Sequence, residues 1–181
     1  IRLKRFPLTA AVCISAVRGF VINWGFAAHA FLSLGAASGE GLGMLGVLGL
    51  GMPLKVQLVA WFYTVYGIAI ALAKDVPDVK GDRQFGIKSF SVRLGQDKVL
   101  AFAQWLLTAS HLAAATALGA AAWEAQTMTR LLAAIATGYA GVSLAVRRRG
   151  VDARNESEAY AYYMHLWKMF YLSYFALPLA R

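Results

Sequence analysis

The chain has 181 residues, of which 59% are hydrophobic and 15% are charged. Because a soluble domain carries about 25% charged residues, this composition excludes an ordinary soluble domain and indicates a polytopic membrane protein. The single cysteine, Cys13, lies in an apolar run and excludes an intrachain disulfide. The net charge of +9 would suit a nucleic-acid-binding protein, and the placement of the basic residues along the chain decides that question.

Five apolar stretches predict an all-α membrane bundle of about five transmembrane helices. The first opens after IRLKRFP, a start that has neither Met nor a recognisable signal peptide. At about 1.5 Å per residue, each stretch is long enough to cross ~30 Å of hydrocarbon. A Gly-rich stretch over residues 34–53 is compatible with a loop, a re-entrant segment or a poor sixth span, and it is not counted as a span because its glycines would weaken a helix. The predicted spans cover residues 7–32, 54–74, 99–122, 128–146 and 160–179.

The basic residues are distributed unevenly between the two sides of this predicted bundle. Alternating spans place the N-terminus, the polar loop 75–98 and the charged loop 147–158 on one side. On or next to that side lie 13 of the 18 Lys and Arg residues. By the positive-inside rule it is the cytoplasmic side, or the stromal side in a plastid. The positive charge is therefore assigned to topology and to the lipid bilayer, and nucleic acid is not expected as a partner.

The second apolar stretch is followed by KDVPDVKGDRQFGIKSFSVRLG, which contains Asp75, Asp78 and Asp82. On a helix, positions i, i+3 and i+7 fall within about 60° of one another, although Pro77 is expected to break or kink that helix. Carboxylates at the mouth of a membrane helix repel one another and are costly to desolvate. A divalent cation such as Mg²⁺ explains them most economically. The alternative is a solvated loop with scattered charge.

The basic residues that follow the aspartates indicate a phosphate-bearing substrate. Arg83, Lys88 and Arg93 lie within the same polar stretch. Cationic side chains form strong, charge-assisted hydrogen bonds with phosphate oxygens. The alternative for each cation is positive-inside topology alone.

The string DVPDVKGDRQFGIKSFSVRLGQ resembles the second aspartate-rich motif of the UbiA family of intramembrane prenyltransferases, and most closely that of the homogentisate phytyltransferases of plastids and cyanobacteria. Two further stretches agree, namely LKRFP at Leu3–Pro7 with the following AVRGFVIN, and LWKMFYLSY at Leu166–Tyr174. That family has about nine spans and a first motif of the NxxxDxxxD type, which this sequence lacks. The resemblance implies that residues 1–181 form a single, N-terminally incomplete UbiA-type membrane domain. Alone it would be inactive, and it would need the missing N-terminal helices of the parent chain as partners.

The resemblance implies a Mg²⁺-dependent enzyme of a chloroplast or cyanobacterial membrane. It would transfer a prenyl group, phytyl in the most similar enzymes, from prenyl diphosphate to homogentisate with decarboxylation, in tocopherol (vitamin E) biosynthesis. One alternative is a homogentisate solanesyltransferase or another UbiA aromatic prenyltransferase of plastoquinone or quinone biosynthesis. A more distant alternative is a membrane transporter subunit with a cation site, which predicts acidic groups near the bilayer midplane instead of at a helix mouth.

The resemblance also implies roles for particular residues. Asp75, Asp78 and Asp82 are carried over as catalytic residues and Mg²⁺ ligands. Contacts to the diphosphate are expected from five cations, which are Lys4, Arg5, Arg83, Lys88 and Arg93. A pocket for the acceptor or the prenyl chain is expected around four residues, which are Asn23, Tyr63, Tyr66 and Trp167. Aromatic rings can stabilise cationic carbon through their faces, and the alternative for these residues is helix packing or an interfacial belt.

Overall fold

The computed structural model of the protein describes residues 9, 12, 13, 16–38 and 54–180. All regular structure within these ranges is helical, which confirms the predicted all-α class. A π-helix at Ala16–Val21 leads into the α-helix Ile22–Ser38, and a 3₁₀-helix at Leu177–Ala180 follows the α-helix Glu156–Ala176. The described residues include the helices α1 (Ile22–Ser38), α2 (Leu54–Lys74), α3 (Val79–Gln84), α4 (Phe90–Leu94), α5 (Gln96–Ala125), α6 (Met128–Arg148) and α7 (Glu156–Ala176).

Two compact units divide the chain within α2. One covers residues 8–68, and the other covers residues 1–7 together with 69–181. In the first unit, Trp24 and Ala28 of α1 form a small apolar core with Ala60 of α2. Trp24 and Ala28 are four positions apart and therefore lie on the same face of α1.

The second unit is built on a hairpin of α5 and α6, which share the most extensive helix contact in the described part of the chain. The two helices approach closely at Gly141, where a β-carbon would lie only 2.8 Å from that of His111. Nearby, the Thr108 hydroxyl donates a hydrogen bond of 3.3 Å to the Gly141 carbonyl. Small residues allow membrane helices to pack at such short range.

The helix α7 packs against α6 in the same unit. The Tyr162 hydroxyl donates to the Leu144 carbonyl at 3.0 Å, and Ser143 and His165 are hydrogen-bonded to each other at 3.0 Å. These bonds satisfy polar groups that would otherwise be costly to bury. The buried face of α7 repeats every three or four positions and consists of Ala159, Tyr162, Leu166, Met169, Ser173 and Ala176.

Three of the described helices are long and apolar enough to cross a membrane. They are Val56–Lys74, Gln96–Ala125 and Met128–Arg148, and they confirm the second, third and fourth predicted spans. The helix α7 has the length but not the hydropathy expected of the fifth span, because polar residues such as His165 and Lys168 interrupt it. The first predicted span lies partly outside the described residues.

Two regions that are not counted among the predicted spans contain helix. Residues 34–38 complete α1 because their small residues, including two alanines, are compatible with a helix; residues 39–53 lie outside the described residues. The polar stretch 75–98 contains α3, α4 and the first residues of α5. Its turns depend on Gly86 (φ +67°) and Gly95 (φ +94°), whose left-handed backbone favours glycine.

Candidate functional site

The three aspartates lie where α2 ends and α3 begins, and residues 75–82 are called the aspartate segment below. Asp75 directly follows α2, Asp78 precedes α3, and Asp82 lies in the first turn of α3. Pro77 disfavours helical backbone in the residue before it, so the continuous helical face considered from the spacing is not formed. The Asp82 amide instead donates to the Asp78 carbonyl at 2.9 Å, and this bond starts α3.

In the aspartate segment, the surroundings of Asp75 disfavour the charged form of its carboxyl group. Asp75 is half-buried, and burial raises the pKa of its carboxyl above the ordinary value of 3.8. The charges of Asp82 and Asp78 raise that pKa further, while Lys74, at 3.9 Å, acts in the opposite direction. The charges of Asp78 and Asp82 therefore reach Asp75, and a cation bound nearby would offset this repulsion.

Asp75→Asn is expected to stabilise the metal-free protein at neutral pH. Because the pKa of Asp75 is raised, the folded state holds its proton more tightly than the unfolded state, and ionisation destabilises the fold as the pH rises. The gain should disappear below the ordinary pKa of 3.8, where the carboxyl is neutral in both states. Thermal unfolding of both proteins in detergent with a chelator, at neutral pH and at a pH below 3.8, measures this difference in stability. Equal unfolding temperatures of the two proteins at neutral pH would contradict it.

The chemistry of the aspartate segment fits Mg²⁺ held jointly with a phosphate-bearing ligand. Within the described residues, no three His, Cys, Asp or Glu side chains lie close enough to form a complete metal cage. Mg²⁺ does not need such a cage, because it is commonly bound by one or two carboxylates, substrate phosphates and water. Asp78 is exposed and its side chain makes no capping hydrogen bond, so its carboxylate is available for that role.

The three described candidate cations for a diphosphate are all exposed. Arg83 is in the last turn of α3, Lys88 precedes α4, and Arg93 is in the last turn of α4. Their exposure leaves them accessible to an anionic ligand. The other two candidates, Lys4 and Arg5, lie outside the described residues.

The backbone of the aspartate segment accepts a hydrogen bond from a residue to which the sequence analysis assigns no role. Gln96, the first residue of α5, donates from Nε2 to the Val76 carbonyl at 2.9 Å. Val76 lies between Asp75 and Asp78, so the bond fixes the backbone of the segment from a residue twenty positions later. Local sequence patterns do not reveal such a contact, because they describe neighbours along one helix or turn.

The aspartate segment and the α6–α7 loop lie at the same end of the second unit. Asp97 pairs with Arg148 at 3.3 Å and with Arg154 at 3.8 Å. Lys80 of α3 pairs with Glu156 of α7 at 3.8 Å. The Arg148 side chain is 16% exposed, whereas the other side chains of these pairs are exposed, and exposed pairs contribute little stability. They do show that these two basic loops face one side, as the distribution of charge predicts.

Three of the four residues predicted for the acceptor or prenyl chain belong to the first unit. Tyr63 is 4% exposed and Tyr66 is fully buried. The ring of Phe62 contacts both, with centroids 5.4 Å and 5.9 Å away, so α2 carries an aromatic cluster. Asn23 is half-buried on α1, and Trp167, the fourth residue, is half-buried on α7 in the second unit.

Comparison with known proteins finds relatives that are named as homogentisate prenyltransferases. The chain is 34% identical to the homogentisate phytyltransferase of Synechocystis sp. over 99% of its own length and 54% of that relative. It is 33% identical to the homogentisate geranylgeranyltransferase of Triticum aestivum, covering 98% of this chain and 40% of the relative. It is 32% identical to homogentisate phytyltransferase 1 of Arabidopsis thaliana, covering 98% and 42%. The chain thus spans about half the length of these relatives, and no solved structure matches it significantly.

The family assignment rests on sequence and structure together. The chain combines helices of membrane-spanning length with an aspartate-rich segment at the end of one of them. The sequence model of the UbiA prenyltransferase family matches residues 1–172, which include every helix of this site and most of α7. The chain therefore belongs to the UbiA prenyltransferase family.

Proposed function

We propose that this chain is part of an aromatic prenyltransferase that transfers a prenyl group, phytyl in the first instance, from prenyl diphosphate to homogentisate. The observation that carries the proposal is the aspartate segment, where Asp78 and Asp82 act electrostatically on the half-buried Asp75 at the end of a helix of membrane-spanning length, with exposed cations in the residues that follow. The product would serve tocopherol biosynthesis in a chloroplast or cyanobacterial membrane. The names of the relatives in Synechocystis and Arabidopsis support this reading.

The aspartate segment would hold the head of the donor. Asp75, Asp78 and Asp82 would provide carboxylate ligands for Mg²⁺, which supplies charge neutralisation of the diphosphate when it is bound. Negative charge develops on the diphosphate as the allylic C–O bond breaks, and cations fixed nearby stabilise that charge. The described cations with this task are Arg83, Lys88 and Arg93, and Lys4 and Arg5 are proposed alongside them.

The aromatic residues would act on the carbon part of the reaction. When the C–O bond breaks, its electron pair leaves with the diphosphate and the allylic carbon becomes cationic. The ring of homogentisate supplies the pair that forms the new C–C bond and loses a proton. The side chain loses CO₂ and takes up one proton, so the overall reaction is balanced. Tyr63, Tyr66 and Trp167 are proposed to shield the cationic carbon from water, with Asn23 near the acceptor.

The length of the prenyl chain is the least constrained part of the proposal. Relatives of nearly equal similarity are named for phytyl and for geranylgeranyl transfer. A solanesyl donor, as in plastoquinone biosynthesis, is the alternative. Membership of a prenyltransferase family favours enzyme chemistry over the transporter alternative.

The test is a transfer assay with the complete gene product expressed in membranes. We expect a prenylated quinol and CO₂ when Mg²⁺, homogentisate and phytyl diphosphate are supplied, and none when a chelator replaces Mg²⁺. Geranylgeranyl and solanesyl diphosphates, supplied separately, identify the preferred donor. Absence of product with all three donors would refute the proposed function.

Gln96→Ala is expected to raise the Mg²⁺ concentration needed for half-maximal rate by roughly 5-fold, the equivalent of one lost hydrogen bond of about 1 kcal/mol. The reason is that Gln96 holds the backbone between two of the proposed ligands. Gln104→Ala is the matched control, because Gln104 donates to Thr108 within α5. Reaction rates measured over a Mg²⁺ titration distinguish Gln96→Ala from the control Gln104→Ala. A lower maximal rate with an unchanged Mg²⁺ midpoint would show that Gln96 has only a general structural role.

A further inference from the structure

Three basic side chains lie together where α6 packs against α7. Ser143 of α6 and His165 of α7 are hydrogen-bonded at 3.0 Å, which fixes the two helices at this point. Arg147 follows Ser143 by four positions, and Lys168 follows His165 by three, so each lies one turn from that bond on the same face of its helix. The positive charges of Arg147 and Lys168 both act on the His165 ring. Arg147, His165 and Lys168 are called the basic cluster below.

The basic cluster has no carboxylate partner in the described part of the chain. The ion pairs found there all use other cations. Arg147 and Lys168 are exposed, and His165 is half-buried. Like charges that are held close together repel one another, and an anion bound between them would relieve this repulsion. The basic cluster therefore has the charge and the accessibility of an anion-binding site.

The basic cluster extends along the two helices, away from the loop that joins them. Ser143 is five positions before Arg148, the last residue of α6, so its bond to His165 is about 8 Å from that end of the helix. Because α7 returns antiparallel to α6, Lys168 lies one turn further from the same end, at about 12 Å. Positive-inside topology accounts for arginines in the loop, but a lysine at this depth in a helix that packs on a membrane span indicates a specific role.

The Lys168 side chain can still reach the level of the lipid headgroups. A lysine near a membrane surface extends its ammonium group toward the headgroups while its carbon chain stays among apolar groups. The charge of Lys168 acts on His165, which is one turn nearer to the headgroups, as such an extension requires. Arg147 lies in the last turn of α6, at the headgroup end of the cluster.

Exposed apolar side chains flank the basic cluster on both helices. Val142 and Val146 of α6 are 52% and 58% exposed, and Met164 of α7 is 39% exposed. Val142 and Val146 directly precede Ser143 and Arg147, and Met164 directly precedes His165. Apolar surface beside a group of cations matches a ligand that has an anionic head and hydrocarbon chains.

We propose that the basic cluster binds the headgroup of an anionic phospholipid, whose acyl chains lie along the exposed apolar side chains of α6 and α7. Basic pockets between membrane helices on the cytoplasmic side are known to suit anionic headgroups. The guanidinium of Arg147 and the ammonium of Lys168 would share the phosphodiester oxygens through charge-assisted hydrogen bonds. A soluble phosphate would match the charges and leave the apolar surface unused. This inference is independent of the proposed prenyl transfer.

The test is lipid binding to the complete gene product in a neutral detergent, measured by native mass spectrometry. Phosphatidylglycerol and phosphatidylcholine with the same acyl chains are titrated separately. We expect the wild type to bind phosphatidylglycerol more tightly by at least roughly 10-fold. Arg147→Gln and Lys168→Gln should each weaken phosphatidylglycerol binding roughly 10-fold, through loss of a charge-assisted hydrogen bond, and leave phosphatidylcholine binding unchanged. Lys168→Arg keeps the charge and should retain the preference.

Arg149→Gln is the matched control, because Arg149 is an exposed cation next to α6 whose charge is not among those that act on His165. It should bind both lipids as the wild type does. An equal loss with Arg149→Gln would show general attraction to a basic surface and would refute a specific site. Equal affinity of the wild type for the two lipids would also refute it, as would be seen if other helices of a longer chain covered the cluster. Displacement of phosphatidylglycerol by inorganic phosphate would show that the cluster recognises a free anion, and the lipid assignment would then be wrong.

Discussion

Replacing Asp78 with asparagine in the complete gene product is expected to lower kcat/KM for prenyl transfer by at least about 100-fold. Asparagine keeps the shape of the side chain and removes the charge that is proposed to bind Mg²⁺, and metal stabilisation of a departing diphosphate is worth several kcal/mol. Asp78 is exposed and makes no side-chain capping bond, so the fold should be unaffected. The measurement is product formation over a range of donor and Mg²⁺ concentrations, together with thermal unfolding.

The matched control for Asp78→Asn is Glu124→Gln, which removes an exposed carboxylate near the end of α5, in the last turn before the α5–α6 connection. It should retain wild-type kinetics. Asp82→Asn should behave as Asp78→Asn does, since both aspartates act on Asp75. Full activity of Asp78→Asn and Asp82→Asn would remove the aspartate segment from the mechanism, even if the enzyme itself proved to be a prenyltransferase.

Gly141→Ala is expected to destabilise the second unit by about 1–3 kcal/mol through overpacking. The added β-carbon would lie 2.8 Å from the β-carbon of His111. Both atoms are fixed directly to the backbone, so the contact is relieved only by moving α5 and α6 apart. Denaturant or thermal unfolding in detergent micelles measures the change.

Gly138→Ala provides the comparison on the same helix, one turn earlier. A β-carbon there would meet that of Ala115 at 3.6 Å, which is ordinary contact. Alanine also favours helix over glycine by up to about 1 kcal/mol. We therefore expect Gly138→Ala to be neutral or stabilising. Equal losses in the two variants would indicate a general intolerance of α6 to alanine, and the close approach at Gly141 would not be the cause.

The sequence predicts helices best where hydropathy is uninterrupted. The apolar run that ends at Lys74 predicts α2 with the bounds that the structure shows, because Pro77 and the charges after it stop the helix. Polar residues lower the hydropathy of α7 below that expected of a membrane span, although its buried residues are regularly spaced. The first predicted span ends at residue 32 because a Gly-rich stretch follows, yet small helix-compatible residues continue α1 to Ser38.

The candidate site is predictable in its residue types and less so in its connections. Three carboxylates after an apolar run already predict a cation site, and that site stays a prediction. The bond from Gln96 to Val76 and the ion pairs of Asp97 join residues that are far apart in the chain. They depend on how helices pack, which the spacing of residues within one helix does not determine.

The two faces of α7 differ in the substitutions that they can accept over evolution. Tyr160 and Tyr171 are exposed, and surface substitutions usually change the free energy of unfolding by less than about 0.5 kcal/mol. Tyr162 and Leu166 are fully buried, so substitutions there disturb the packing that holds α7 in the fold. The exposed positions of this helix can thus vary from one descendant to another while its buried face preserves the scaffold.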